Sequence, residues 1–221
     1  MEKLGSNRTK GYLDGLVQMQ SKVYGKFFIP ELIVGNILKD IKKASPYNAQ
    51  SDSIATDSYV YAHYFLARKV TSIERLHLLN EVSNHFNLAL FTGSDASFVP
   101  NATCFGAIDY YNKMPQIFNS SKINLNISLK SILSGIPLRC IDVMASGGFL
   151  LTNYQSDLKR HFINGQDYEY FTDEYDLLKK IEYYLDHEDE REAIAVNGKN
   201  KVNQNHRLDK MLPYMLQCAT K

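Results

Sequence analysis

The stretch INLNISLKSILSGIPLRCIDVMASGGFLLT, Ile123 to Thr152, decides how this chain reads. It begins as a buried strand, passes through a small-residue turn ending in Gly-Ile-Pro, and enters a short helix carrying Arg139 and Asp142. A double glycine then leads to a second buried strand. In such a strand–loop–helix–strand unit the loop and the helix N-terminus face the carboxyl edge of a parallel sheet, where α/β proteins hold nucleotides. A helix N-terminus there offers unpaired N–H groups and a partial positive charge to a phosphate.

Within that unit, Pro137 suits the first helical turn, where its missing N–H is not needed. Gly135 lets the backbone approach a ligand closely. Arg139 is placed to point a guanidinium at a diphosphate, and Asp142, three residues on, shares its helix face. A carboxylate at that position could accept two hydrogen bonds from ribose hydroxyls. The plainer alternative is a surface ion pair between Arg139 and Asp142. Gly147-Gly148 reads as a helix exit that also permits close ligand approach. Asn124 and Asn126 fall on one face of the strand before the loop. They either edge a polar cleft or hydrogen-bond a neighbouring loop. Gly93-Ser94-Asp95, at the end of an earlier strand, could form a second phosphate-side turn.

Outward from this unit the period of the apolar residues changes once. From Gly11 to about Phe86 every signal is helical, with stripes such as Leu13, Leu16 and Val17, and a polar loop from Ser45 to Ser58. Two helices, about Tyr59–Lys69 and Thr71–Phe86, are expected after that loop, with Thr71 or Ser72 as a cap. From Asn87 onward, short apolar runs alternate with helical patterns: NLALFTGSD, CFGAI, KINLNIS, GFLLTN and DYEYFT are the five strands. YYNKMPQIFNSS reads as a short helix interrupted near Pro115. Three domains are expected: a disordered lead-in over 1–10, a helical arm over 11–86, and a Rossmann-like domain over 87–221. The fold class is α/β, a parallel sheet of about five strands flanked by helices.

Composition excludes several functions. A net charge of +1 provides no global field for nucleic acid or an anionic membrane. No apolar run reaches the roughly 18 residues of a membrane span, and the polar N-terminus lacks a secretory signal. Cys104, Cys140 and Cys218 are odd in number and widely spaced, which fits a reducing, cytoplasmic compartment and no metal site. The six histidines show no ligand spacing. Neither a Walker loop, a Gly-x-Gly-x-x-Gly fingerprint nor a Gly-x-Ser-x-Gly elbow occurs.

The segment SGIPLRCIDVMASGGFLLTNYQSDLKRHFINGQDYEYF resembles the donor-binding half of GT-B glycosyltransferases. That pattern has two acidic residues about a Gly-rich turn, then Ala-Met-Ala-x-Gly and a buried strand; Asp142-Val143-Met144-Ala145-Ser146-Gly147 matches its second half. The resemblance implies that Asp142 binds the donor ribose. Its first acidic position falls on Ser134, a departure at the place that usually contacts the transferred sugar. YVYAHYFLARKVTSIERLHLLNEV, DYYNKMPQIFNSSKINLNIS and GIPLRCIDVMASGGFLLTNYQSDLKRHFINGQD further resemble the CgeB-type, spore-maturation-like branch, from about Gly11 to Arg207. The implied activity is glycosyl transfer from a nucleotide-diphospho-sugar. Together with the reading of the residues above, the expected donor site comprises Gly93, Ser94, Asn126, Ser134, Gly135, Ile136, Arg139, Asp142, Gly147 and Gly148.

That resemblance implies two Rossmann-like halves, of which this chain carries the second, so donor binding without a complete acceptor site is expected. Catalysis would rest on Arg139 and helix N–H groups stabilising the leaving diphosphate, independently of metal and without a further cofactor. An alternative is a non-catalytic, glycosyltransferase-like interaction or spore-coat-associated module. In that case the helical arm would present its apolar stripes to a partner or to another copy.

Overall fold

A computed structural model of the chain describes residues 6–47, 54–132 and 134–219. The chain divides into two compact units, Met1–Leu78 with Leu129–Leu133, and Leu79–Ser128 with Ser134–Lys221.

The first unit is helical. Helix α1, Asn7–Ser21, starts inside the stretch expected to be a disordered lead-in, because the Ser6 hydroxyl accepts the Thr9 N–H and caps it; residues 1–5 lie outside the described residues. Two short helices follow, α2 (Ile29–Leu32) and α3 (Gly35–Ala44). Helix α4, Asp57–Val60, passes through a π-helical turn, Tyr61–Leu66, directly into α5, Ala67–His85. The expected break at Thr71 is absent. Thr71 lies within α5, and its hydroxyl donates back to the Ala67 carbonyl at 2.9 Å instead of capping a new helix. Leu13, Leu16, Val17, Ile29, Ile33, Tyr61 and Val70 form the core of this unit.

Its boundaries also differ from the expected arm. The Lys130 N–H donates to Thr71 Oγ1 at 3.0 Å, and its ammonium lies 2.9 Å from the Glu74 carboxylate and 4.4 Å from the centre of the Tyr24 ring. A charge pair buried in this way joins residues far apart in sequence, which no local periodicity signals.

The second unit is α/β. Strands β1 (Ala89–Leu90) and β2 (Thr103–Cys104) form one parallel pair. Helix α6, Met114–Ser120, leads to β3 (Asn124–Asn126), α7 (Leu138–Ala145), β4 (Leu150–Asn153), α8 (Ser156–His161) and β5 (Glu169–Phe171). Three helices complete it: α9 (Glu174–Asp186), α10 (Glu188–Asn205) and α11 (Leu208–Ala219). Pro115 occupies the first turn of α6 and so starts that helix where an interruption was expected.

A single sheet of about five strands was expected; among the described residues two parallel sheets, of two and three strands, are found. The three-stranded sheet has the order β3-β4-β5, with Leu125 opposite Leu151 and Thr152 opposite Tyr170. Its central strand is buried along its whole length, as a covered parallel strand requires. By contrast β1 and β2 are two residues each and mostly exposed. Phe91 and Phe105, just beyond them, stack on each other at 5.0 Å, and Phe105 stays exposed.

Helix α7 packs on β3 and β4, and α10 packs against α7. Gly198 lets α10 lie close to α7 and to the turn before β5: a Cβ there would lie 3.3 Å from the Met144 side chain of α7 and 2.3 Å from the Asp167 carbonyl oxygen. The core gathers Phe118, Cys140, Val143, Met144, Leu150, Phe162 and Tyr168. Among the described residues no helix is long and apolar enough to cross a membrane.

Candidate functional site

The loop between β3 and α7 is shaped by its glycine. Gly135 has φ +89°, in the left-handed region, and nothing stands within 4 Å of where a Cβ would project. Pro137 then opens α7 without a side-chain cap, which leaves the positive end of the helix to the loop and to any ligand. A carboxylate already faces this loop. The Gly135 N–H donates to Asp157 Oδ2 at 2.5 Å, and Arg160 Nη1 donates to Asp157 Oδ1 at 3.0 Å.

Arg139 and Asp142 are both half-buried. They do not form the ion pair that their spacing allows: among the described residues Arg139 has no carboxylate partner, and each is held by an aromatic side chain. The Arg139 guanidinium lies 5.5 Å from the Tyr110 ring centre and 5.4 Å from that of Phe118. Such contacts are worth about 0.5–1 kcal/mol each where solvent reaches them. The Tyr110 hydroxyl donates to Asp142 Oδ2. This hydrogen bond, with burial and the Asp142 charge adding to it, raises the Tyr110 pKa. Arg139 therefore keeps its charge and its donors available above two rings, and Asp142 keeps one oxygen uncommitted to Tyr110.

Tyr110 reaches this position from the loop after β2, whose later part forms an Asx turn: Asp109 Oδ1 accepts the N–H groups of Tyr111 and Asn112. The Asn112 bonds pull the Asp109 pKa down, with Tyr111 and Lys113 adding to the effect. Gly93 meets the same loop, its Cβ position 3.4 Å from that of Ala107. The Ser94 N–H is taken by Thr92 Oγ1 at 3.1 Å. The turns after β1 and β2 thus converge, and Tyr110 links them to α7.

The other expected residues divide. Ser134 is exposed beside Gly135, and Ile136 packs half-buried on the core. Asn126 is buried beneath the loop, its amide donating to Ser128 Oγ at 2.9 Å and Thr152 Oγ1 at 3.0 Å. Asn124 donates to the carbonyls of Phe118 and Phe149. Both asparagines spend their donors on the protein. Gly147 and Gly148 lie at the far end of α7, about 12 Å from Arg139 along the axis at 1.5 Å per residue. Gly147 has φ +81° as a helix exit. A Cβ on Gly148 would fall 2.4 Å from the Phe118 carbonyl oxygen, so chain packing, and not a ligand, requires that glycine.

The group around the start of α7 is therefore Ser134, Gly135, Arg139 and Asp142, joined by Tyr110 and Asp157, with the ring of the core residue Phe118 reaching Arg139; the sequence reading did not single out these last three. Tyr110 had a usable signal, an Asp-Tyr-Tyr run directly after a strand. Asp157 had none, since only folding brings α8 to the loop.

An open cavity of about 680 Å³ lies elsewhere, lined by Asn164, Glu169, Lys180, Tyr183 and His187 among others. These residues flank the start of β5 and the end of α9, hence the amino edge of the sheet. Ligands in open parallel sheets gather beyond the carboxyl ends of the strands, the side where the loop before α7 lies and this cavity does not. No group of three or more His, Cys, Asp or Glu side chains is arranged to hold a metal among the described residues.

A family model described as glycosyl transferase-like matches residues 75–217, well over half of the chain. The match includes Tyr110, Ser134, Gly135, Arg139, Asp142 and Asp157. A search of the curated proteins finds no match.

Proposed function

The chain belongs to the glycosyl transferase-like family, and from that membership we propose that its α/β unit binds a nucleotide-diphospho-sugar donor for glycosyl transfer. The observation that carries this reading is the separation of Arg139 from Asp142. A guanidinium without a carboxylate partner among the described residues stands in the first turn of α7, and a carboxylate one turn later is held by a tyrosine hydroxyl. Arg139 with the α7 N-terminus would receive the diphosphate. Asp142 would accept the ribose hydroxyls, as the GT-B resemblance implies. Gly93 and Ser94, on the loop that meets Ala107, would extend the site toward the rest of the donor.

In this mechanism the leaving nucleoside diphosphate is stabilised electrostatically, and Arg139 supplies the positive charge, with neither metal nor cofactor required. The acceptor side would come from a second surface, as in the two-halved enzymes that the sequence resembles. The CgeB-type, spore-maturation-like branch is the finer assignment that we propose.

Calorimetry and thermal shift with UDP, GDP and dTDP test the reading, repeated on Arg139→Ala and Asp142→Ala. One of the three should bind the native protein, and each variant should weaken it at least tenfold. Failure of all three at millimolar concentration would refute donor binding.

A second reading, a non-catalytic interaction or spore-coat-associated module, is favoured by Ser134. Where the GT-B pattern has a carboxylate against the transferred sugar, this chain exposes a hydroxyl. Nucleotide binding unaffected by Asp142→Ala would favour this module.

A further inference from the structure

The donor-site reading leaves one group without a role: a carboxylate lying where a phosphate oxygen would be received. Asp157 Oδ2 accepts the Gly135 N–H at 2.5 Å, at the entrance to a helix whose N-terminus has no side-chain cap. The other oxygen of Asp157 is held by Arg160 at 3.0 Å. Among the described residues only the carboxylate engages that N–H, and none stands within 4 Å of where a Gly135 side chain would project. The Asp157 side chain is 20% exposed and that of Arg160 75%, so the carboxylate is sheltered while its counter-ion reaches into solvent. An anion approaching Gly135 must displace this carboxylate or bind against its charge.

We infer that Asp157 is an internal competitor for the donor's diphosphate. It engages the Gly135 N–H, with Arg160 as its counter-ion, and it weakens retention of the nucleoside diphosphate after transfer. This rests on the donor-site reading above. Asp157 on this account is a positioning residue that sets affinity. It takes no part in bond making, and a carboxylate that merely braced the loop would act in the opposite direction.

The experiment is calorimetric titration of the native protein, Asp157→Asn, Arg160→Ala and the double variant. The probes are UDP, GDP, dTDP, their parent nucleosides and inorganic pyrophosphate. Asp157→Asn should bind pyrophosphate and the preferred nucleoside diphosphate roughly five- to tenfold more tightly, since one like charge near the ligand is removed. The parent nucleoside should be unchanged.

Arg160→Ala should weaken binding about threefold in the native background and have no effect beside Asp157→Asn, because it acts only through Asp157. Unchanged or weaker diphosphate binding by Asp157→Asn, or a parallel change with the uncharged nucleoside, overturns the inference while leaving the donor site intact. Should Asp157→Asn fail to fold, Asp157→Ala replaces it with the same expected gain. If no nucleoside diphosphate binds any of these proteins, the donor-site reading itself has failed, and this inference falls with it.

Discussion

The hydroxyl of Tyr110 donates to the carboxylate of Asp142, and the ring of the same tyrosine lies 5.5 Å from the guanidinium of Arg139. One side chain from the loop after β2 thus separates two opposite charges that share a face of α7. A direct pair would have neutralised both groups. Tyrosine satisfies the carboxylate with a neutral donor and leaves the cation beside π faces, so both remain able to meet a ligand.

That relationship is testable through the tyrosine. Tyr110→Phe removes one hydrogen bond and should cost about 1 kcal/mol of stability. Because Asp142 foremost raises the Tyr110 pKa, the bond contributes fully below the ordinary tyrosine value of about 10 and is lost as pH rises through the higher folded value. Denaturant titrations of the native protein and Tyr110→Phe should therefore differ at pH 8 and converge in strongly alkaline solution. A difference that grows with pH would contradict the assignment.

Thiol reactivity should split the three cysteines. Cys104 and Cys218 are exposed, whereas Cys140 is buried, and burial foremost pushes its thiol pKa up to about 12. At pH 8 a disulfide reagent should titrate two thiols rapidly in the folded protein and the third only on unfolding. Rapid reaction of all three would show that the α7–sheet core opens readily.

The Glu74–Lys130 pair predicts a pH-dependent loss of stability. Burial foremost raises the Glu74 pKa, with Lys130 pulling it back. A raised carboxyl pKa contributes stability below the unfolded value, about 4.3, and that contribution disappears as pH rises through the folded value. Lys130→Met, which leaves the buried carboxylate without its ammonium partner and with only the weaker influence of Arg75, should cost about 3–5 kcal/mol at pH 7.5 and less at pH 5. Urea unfolding at the two pH values decides it; a penalty independent of pH would be inconsistent with a buried, ionised Glu74.

Two glycines should respond differently to alanine. In Gly198→Ala the new methyl meets the Asp167 carbonyl oxygen at 2.3 Å and the Met144 side chain at 3.3 Å, which should cost about 1–3 kcal/mol through displacement of α10. Gly135→Ala meets no neighbour but must hold φ near +89°, at a cost of roughly 1–2 kcal/mol. Its larger effect should be on nucleotide binding. Thermal unfolding of both variants, with nucleotide titration of the second, separates packing from loop geometry.

Local pattern made some of this structure legible. Four of the five apolar runs after Phe86 contain a strand, while CFGAI contributes only Cys104 to β2, and the glycines that exit α7 lie at its end. Arg139 and Asp142 fall on one short helix because residues three apart share a face. Continuous pattern failed where partners are remote: it placed five strands in one sheet, broke α5 at Thr71, and grouped Gly147 with Arg139 although α7 separates them.

The sequence by itself determined the strand–loop–helix–strand unit, since periodicity, glycine and proline act within a few residues of their own position. Tertiary structure alone decided that Tyr110 intervenes between Arg139 and Asp142, that Asp157 reaches the Gly135 N–H, and that Lys130 pairs with Glu74. These contacts join residues 22 to 56 positions apart, and the chain's local preferences carry no term for them. They arise when packing of the core brings the side chains together and burial makes an unmatched charge or donor costly.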